Sequence, residues 1–254
     1  MGIQPERIIF LKVPIDIAPP DDLQEIFFHL LPREKKADRP EAGMDIVLLS
    51  LWDLLRARRN SDYLDYLSNA SLVIPISKSL VNGVRFLTGK TVYRYMPFKF
   101  VISLLTFLEK QDLSVYLFGG TSKILKKAEK NLHLTFPLLK IVGRCEGKIR
   151  KPEEGAVIEA IRKASPSLLL LGKGRRDKEL WIQKNTKLLN RDFRLWCSDL
   201  FDVFAEKKRR PSDAVFEKGL EHLGHCFRNP LKIFRIFPYL WYKILILYQK
   251  LFNK

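Results

Sequence analysis

Cysteine is scarce and scattered. Cys145, Cys197 and Cys226 are odd in number, widely spaced and form no C-x-x-C pair, which argues against a disulfide framework or a zinc ribbon and suits a reducing cytoplasm. Long apolar runs are also missing. No stretch reaches the ~18 consecutive apolar residues that a spanning helix needs, so any contact with a membrane is expected to be peripheral. The opening MGIQPERIIFLKVPIDIAPP breaks its short apolar run with Lys12 and Pro14, which does not suit a secretory leader. Glu6 stands where a myristoylation start wants Ser or Thr. Acidic residues are outnumbered: 28 Asp and Glu face 45 Lys and Arg, a formal charge of +17 that favours a polyanionic partner.

What is present is enough apolar mass, 46% of 254 residues, to bury a sizeable core. Strand-length apolar runs recur at DIVLLS (45–50), SLVIPI (71–76), SVYLFGG (114–120), LKIVG (139–143), SLLLLG (167–172) and FRLWC (193–197). Between them, apolar residues at three-and-four spacing predict helices over 51–67, 99–110, 122–132, 153–163 and 178–189. Uninterrupted apolar strands imply burial on both faces. The expected fold is therefore α/β, a Rossmann-like and mainly parallel sheet covered by helices on both faces, with ligands beyond the carboxyl ends of its strands. Composition shifts after Phe204: residues 206–254 carry eleven Lys and Arg against four Asp and Glu. The reading divides the chain into an α/β domain, 1–205, and a basic, aromatic C-terminal appendage, 206–254.

Two strand-to-turn junctions, LFGGTSKIL (117–125) and LLGKGRRDKELW (170–181), join glycines to a following helix. Glycine lets backbone approach a ligand, and a helix N-terminus offers N–H groups to phosphate. Thr121 or Ser122 could cap the first of these helices. Neither loop matches the P-loop or the dinucleotide pattern, and α/β folds place glycine at such turns for backbone reasons alone.

The ordered set VPID (13–16), VYLFGGT (115–121), LKIVG (139–143), LLGKGRRDKELWIQKN (170–185), LFDVFAEKKRRPS (200–212) and GLEHL…NP (219–230) resembles the WecG/TagA/CpsF family of bacterial glycosyltransferases over nearly the whole chain. The resemblance implies a Rossmann-like fold and inverting transfer of an N-acetylmannosamine-like sugar from a UDP-sugar to a polyprenyl-diphosphate-linked acceptor, with no required metal or other cofactor. It implies a nucleotide-sugar site at Gly119, Gly120, Gly172, Gly174, Glu179 and Asp202, with Trp181 and Asn185 on the motif helix. Lys232 and Arg235 would take the acceptor diphosphate. Cell-envelope polysaccharide assembly and the cytoplasmic face of the plasma membrane follow from the same resemblance.

The departures from the family pattern cluster. Where the family reads Pro-Asp-Gly, with the Asp as proposed general base, this chain has Pro75, Ile76 and Ser77. Proton removal calls for a carboxylate or imidazole, so the catalytic base stays unassigned, with Asp199 or another acid as a substitute. Leu48 and Ser50 replace the usual Thr and Asn, Lys178 replaces Gln, and Trp196, Cys197, Ser198 and Asp199 replace a Gly-rich motif. The alternative is a catalytically inactive member acting as a nucleotide-binding or scaffold protein.

The tail LKIFRIFPYLWYKILILYQKLFNK (231–254) is apolar around most of its circumference if helical, with Lys243, Lys250 and Lys254 within about 40° of one another. Trp241, Tyr242, Lys243 and Lys250 suit an in-plane anchor on an anionic membrane surface. The competing reading buries this helix against another subunit and makes the protein a homo-oligomer. His222, His225 and Cys226 lack a fourth ligand, so no metal is expected. Trp52 with Arg56, Arg58 and Arg59 forms a basic helix, but no nucleic-acid module accompanies it.

Overall fold

The six apolar runs form six hydrogen-bonded strands. The computed structural model describes residues 4–31, 44–174, 181, 184–185, 189, 193–219 and 236–252. In chain order the elements are β1 (Glu6–Phe10), β2 (Val13–Ile17), α1 (Leu23–Leu30), β3 (Met44–Leu49), α2 (Leu51–Ala57), α3 (Ser61–Asn69), β4 (Leu72–Pro75), α4 (Lys78–Thr88), α5 (Pro97–Lys110), β5 (Ser114–Phe118), α6 (Ser122–Thr135), β6 (Lys140–Cys145), α7 (Glu154–Ala164), β7 (Leu168–Leu171), β8 (Phe193–Trp196), α8 (Leu200–Phe204), α9 (Asp213–Lys218) and α10 (Ile236–Phe252).

The main sheet runs β4-β3-β8-β7-β5-β6, and every neighbouring pair is parallel. Side chains alternate between its faces. Ile46, Leu48, Val115, Leu117, Leu168, Leu170, Phe193 and Leu195 point to one face and pack with α1, α5, α6 and α8. On the other face, Val47, Leu49 and Val73 meet β1, β2, α2, α3, α4 and α10, whereas Tyr116, Phe118, Leu169 and Leu171 meet α7 and Trp181. Burial on both faces explains the unbroken apolar runs. One exception is ionic: Asp45 and Arg194 face each other across β3 and β8 as a buried bidentate pair at 2.8 Å. Burial pushes the Asp45 carboxyl up, and Arg194 opposes that shift.

The separate β1–β2 hairpin turns through Leu11 and Lys12, both at positive φ and neither a glycine. It is stapled to β4 by Asp16, which is 1% exposed, binds Arg7 at 2.7 and 2.8 Å and accepts the Val73 N–H at 2.6 Å. The pattern that predicts one helix over 51–67 resolves into two. Asn60 interrupts it and caps α3 by accepting the Tyr63 N–H at 2.8 Å.

α10 docks on α4 rather than standing free. Tyr242 is 1% exposed, donates its hydroxyl to Ser79 O at 2.7 Å, and lies with Ile246 where a side chain at Gly83 would have to go. Tyr242 therefore does not face a membrane, contrary to the expectation from sequence. Its hydroxyl is pushed well up by burial.

Candidate functional site

The carboxyl ends of β5, β6 and β7 lie side by side, and the loops leaving them interlock through glycine. A Cβ on Gly119 would stand 2.6 Å from Gly172 backbone, one on Gly174 2.6 Å from Gly147, and one on Gly172 2.4 Å from the Phe201 ring. Gly119, Gly120 and Gly174 also adopt positive φ. Gly119, Gly120, Gly172 and Gly174 are thus gathered at one end of the sheet, together with Gly147, which reading the sequence missed. Its visible signal was a glycine two residues beyond a strand.

Three of these glycine amides are engaged within the protein. Gly119 N–H donates to Cys145 O at 2.9 Å, Gly120 N–H to Lys173 O at 2.6 Å and Gly172 N–H to Phe118 O at 2.7 Å. The amides tie loop to loop. At the first turn of α6, Thr121 occupies the N-cap without a capping side-chain bond, and Thr121, Ser122 and Lys123 are exposed. First-turn N–H groups have no intrahelical acceptor, and the dipole of this 14-residue helix adds positive potential there.

Lys173, between the two loop glycines, reaches across to α8 and its N-terminal flank. Its ammonium binds Asp202 Oδ2 at 2.7 Å and also Asp199, which in turn binds Lys208. Burial pulls the Lys173 pKa down, but both carboxylates outweigh it and the net shift is upward. Burial pushes Asp199 up, and Lys173 with Lys208 outweigh it, leaving Asp199 below the usual carboxylate range. Asp202, 13% exposed at its side chain, is held against the Lys173 loop. Trp181 is 3% exposed, its indole N–H donates to Glu154, and its ring lies 5.2 Å from that of Phe118. Asn185 donates to Trp181 O at 2.9 Å. Both motif residues shape the local packing. Glu179 and Lys178 lie outside the described residues, as do Lys232, Arg235, His222, His225 and Cys226.

At the other side of the sheet, β3 and β4 end in a second group of side chains. Leu48 packs in the core. Ser50 and Asp53 form a capping box on α2: the Ser50 hydroxyl donates to Asp53 Oδ2 at 2.5 Å and the Ser50 N–H to the same oxygen at 2.9 Å. Ser77 is buried, and its hydroxyl accepts the Leu51 N–H at 3.1 Å. Arg94, another residue that sequence patterns did not mark, donates to Ile76 O at 2.8 Å, also to Phe216 O, and stacks 3.7 Å from the Phe216 ring. Burial lowers its pKa to about 10. Lys78 donates to Glu217 O at 2.7 Å, and Lys99 pairs with Asp213 at 3.0 Å. These cations latch α9 across the end of β4.

Trp196 packs with the cluster beneath α7. A cavity of about 440 Å³ opens between β6 and α7, lined by Tyr116, Arg144, Cys145, Lys148 and Val157 among others. Among the described residues, no group of three His, Cys, Asp or Glu side chains is placed to hold a metal, and no helix is long and apolar enough to cross a membrane. On α10, Trp241 is 51% exposed, and Lys243 and Lys250 are exposed as well.

A curated protein of Bacillus subtilis (strain 168), N-acetylglucosaminyldiphosphoundecaprenol N-acetyl-beta-D-mannosaminyltransferase, is 21% identical over 194 residues, covering 76% of this chain and 75% of that protein. The model of the Glycosyl transferase WecG/TagA/CpsF family matches residues 9–254. With a parallel sheet beneath interlocked glycine loops and a family match across almost the entire length, this chain belongs to the WecG/TagA/CpsF family of glycosyl transferases.

Proposed function

We propose that the protein transfers an N-acetylmannosamine-like sugar from a UDP-sugar to a polyprenyl-diphosphate-linked amino sugar, at the cytoplasmic face of the plasma membrane, during assembly of a cell-envelope polysaccharide. The observation that carries this reading is the junction of the α6 N-terminus with the glycine loops and the Lys173–Asp202 pair, all beyond the carboxyl ends of β5 and β7. The positive end of the α6 dipole suits a diphosphate leaving group, whose negative charge grows as the bond from the sugar C1 to the diphosphate oxygen breaks. Asp202 keeps lone pairs beside Lys173 that can accept from ribose hydroxyls or uracil N–H. Gly119, Gly120, Gly172 and Gly174 serve the site by letting the loops close on one another. Glu179 is proposed to share the nucleotide, and Lys232 and Arg235 to share the acceptor diphosphate. The relative from Bacillus subtilis supplies the sugar and acceptor classes.

Attachment to the membrane is proposed through the outer face of α10, where Phe237, Leu240, Trp241, Ile244, Leu247, Tyr248, Leu251 and Phe252 are exposed alongside Lys243 and Lys250. A second reading, a nucleotide-binding scaffold without turnover, draws on Ile76 and Ser77: neither is an acid, and the Ser77 hydroxyl is engaged by Leu51. Incubation of purified protein with UDP-N-acetylmannosamine and a polyprenyl-diphosphate N-acetylglucosamine separates the two. Disaccharide-lipid product with release of UDP is the expected result. UDP binding by calorimetry without product favours the scaffold, and no binding at millimolar UDP contradicts both.

A further inference from the structure

We infer that the cavity between β6 and α7 is a carbohydrate-binding site, separate from the proposed donor site, that takes a neutral sugar. At about 440 Å³ it falls within the size range of small-molecule pockets. Tyr116 is the one fully buried member of its lining, 6% exposed. Among the described residues, the Tyr116 hydroxyl has no hydrogen-bond partner, and a polar group buried to that degree ordinarily has one. Its neighbour Cys145, also on the cavity wall, directs its thiol to Glu146 O at 3.6 Å. The Tyr116 hydroxyl is thus left for a ligand.

The sequence opens this space in two places. On the edge strand β6, pairing with β5 slips from Ile141 opposite Val115 to Gly143 opposite Tyr116, a bulge of the kind that re-aims side chains at sheet edges. A Cβ at Gly143 would stand 2.4 Å from the Tyr116 ring, so glycine at that position is what lets the ring lie against the strand. On the facing wall, Ala156, Val157 and Ala160 share one side of α7. Their side chains are short, and Ala156 and Ala160 are exposed. The result is an apolar helix face opposite a buried hydroxyl.

Charges around the cavity select the class of ligand. Arg144 pairs with Glu129, and Arg150 pairs with Glu153 at 2.9 Å. Lys148 and Glu146 remain, both exposed and, among the described residues, without an ion-pair partner. Their charges cancel, so the lining has no net charge with which to hold a phosphate or a carboxylate. Ammonium and guanidinium groups only donate hydrogen bonds, and carboxylates only accept them. A sugar hydroxyl does both, which suits a wall that mixes Lys148, Glu146 and the Tyr116 hydroxyl, while the C–H face of the ring meets Val157 and Ala160. Location keeps the site apart from the donor: α6 and α7 cover opposite faces of the sheet, and a sugar beside α7 leaves the α6 N-terminus open.

The test is saturation-transfer NMR on the full chain, with N-acetylglucosamine, N-acetylmannosamine and di-N-acetylchitobiose as probes, in the absence and presence of UDP. Transfer to the ring C–H protons of at least one probe is expected, at millimolar affinity and unchanged by UDP. Tyr116→Phe keeps the ring and removes the hydroxyl, and should weaken binding roughly three- to tenfold, as expected for the loss of one hydrogen bond. Ala160→Trp fills the cavity from an exposed helix position and should abolish transfer with the urea midpoint close to that of wild type. No transfer to any probe overturns the inference. So does unchanged affinity in either variant, because a sugar held at an acceptor site elsewhere would survive both substitutions. Displacement of the probes by UDP would make the cavity part of the donor site, and displacement by inorganic phosphate would make it an anion site; either result overturns the inference. None of these readouts requires turnover, so failure here leaves the transferase reading standing.

Discussion

The two sides of the sheet's carboxyl edge are held by different means. At the β5–β7 end, backbone closes on backbone: Gly119 against Gly172, Gly174 against Gly147, with amides bonded from loop to loop. At the β3–β4 end, side chains do the holding, with Arg94 and Lys78 latching α9 and Ser50 with Asp53 capping α2. Backbone packing tolerates almost no substitution, whereas a side-chain latch can be rebuilt from other residue types.

The largest effect is expected from Gly119→Val. The substituted residue would sit at φ +144° with its Cβ 2.6 Å from Gly172. Strain and overpacking together should cost about 3 kcal/mol or more, read as a lowered urea midpoint with loss of UDP binding. A variant as stable as wild type would break the contrast between rigid and rebuildable halves. Next is Arg94→Ala, which removes a carbonyl contact and a ring contact at Phe216 of α9 together with a carbonyl contact at Ile76 after β4. Loss of charge-assisted bonds of this kind costs about 1.5–3 kcal/mol, expected as a raised acceptor KM with UDP affinity unchanged. A fall in UDP affinity instead would show that the halves are not separable.

Lys173→Met sharpens the comparison from the donor side. It should weaken UDP binding about tenfold, equivalent to ~1.4 kcal/mol, while leaving the acceptor KM alone. The smallest effect concerns acid. Asp199 is held below its ordinary value in the folded protein, so its contribution to stability is complete above the ordinary carboxylate pKa and is lost as pH falls through the depressed one. The stability gap between wild type and Asp199→Asn should therefore be present at pH 7 and vanish towards pH 2 in parallel urea titrations.

The strands were readable because burial on both faces leaves unbroken apolar runs: four of the six expected strands match the observed ones within a residue at both limits, and the run over 114–120 overshoots the end of β5 at Phe118 by two. β6 differs by running on to Cys145. The helices over 99–110, 122–132 and 153–163 were foreseen with similar boundaries, while most of 178–189 lies outside the described residues. The hairpin at Leu11 and Lys12 carries no turn residue that would announce it. α4 was missed, and Gly83, in its middle, makes sense only through Tyr242 and Ile246 from a helix about 160 residues away. The same distance explains the misplaced Tyr242: a helix apolar all round does not say which side it buries. The glycine motif located the loops that interlock beyond the strand ends, but whether a glycine amide meets a ligand or another loop is decided by tertiary contacts such as Gly120 to Lys173.

The most direct measurement is a crystal structure with UDP bound. The diphosphate is expected at the N-terminus of α6, within hydrogen-bonding reach of the Ser122 and Lys123 amides and beside the Lys173 loop. UDP seated instead in the cavity between β6 and α7, against Tyr116 and Val157 and away from the α6 N-terminus, would contradict it.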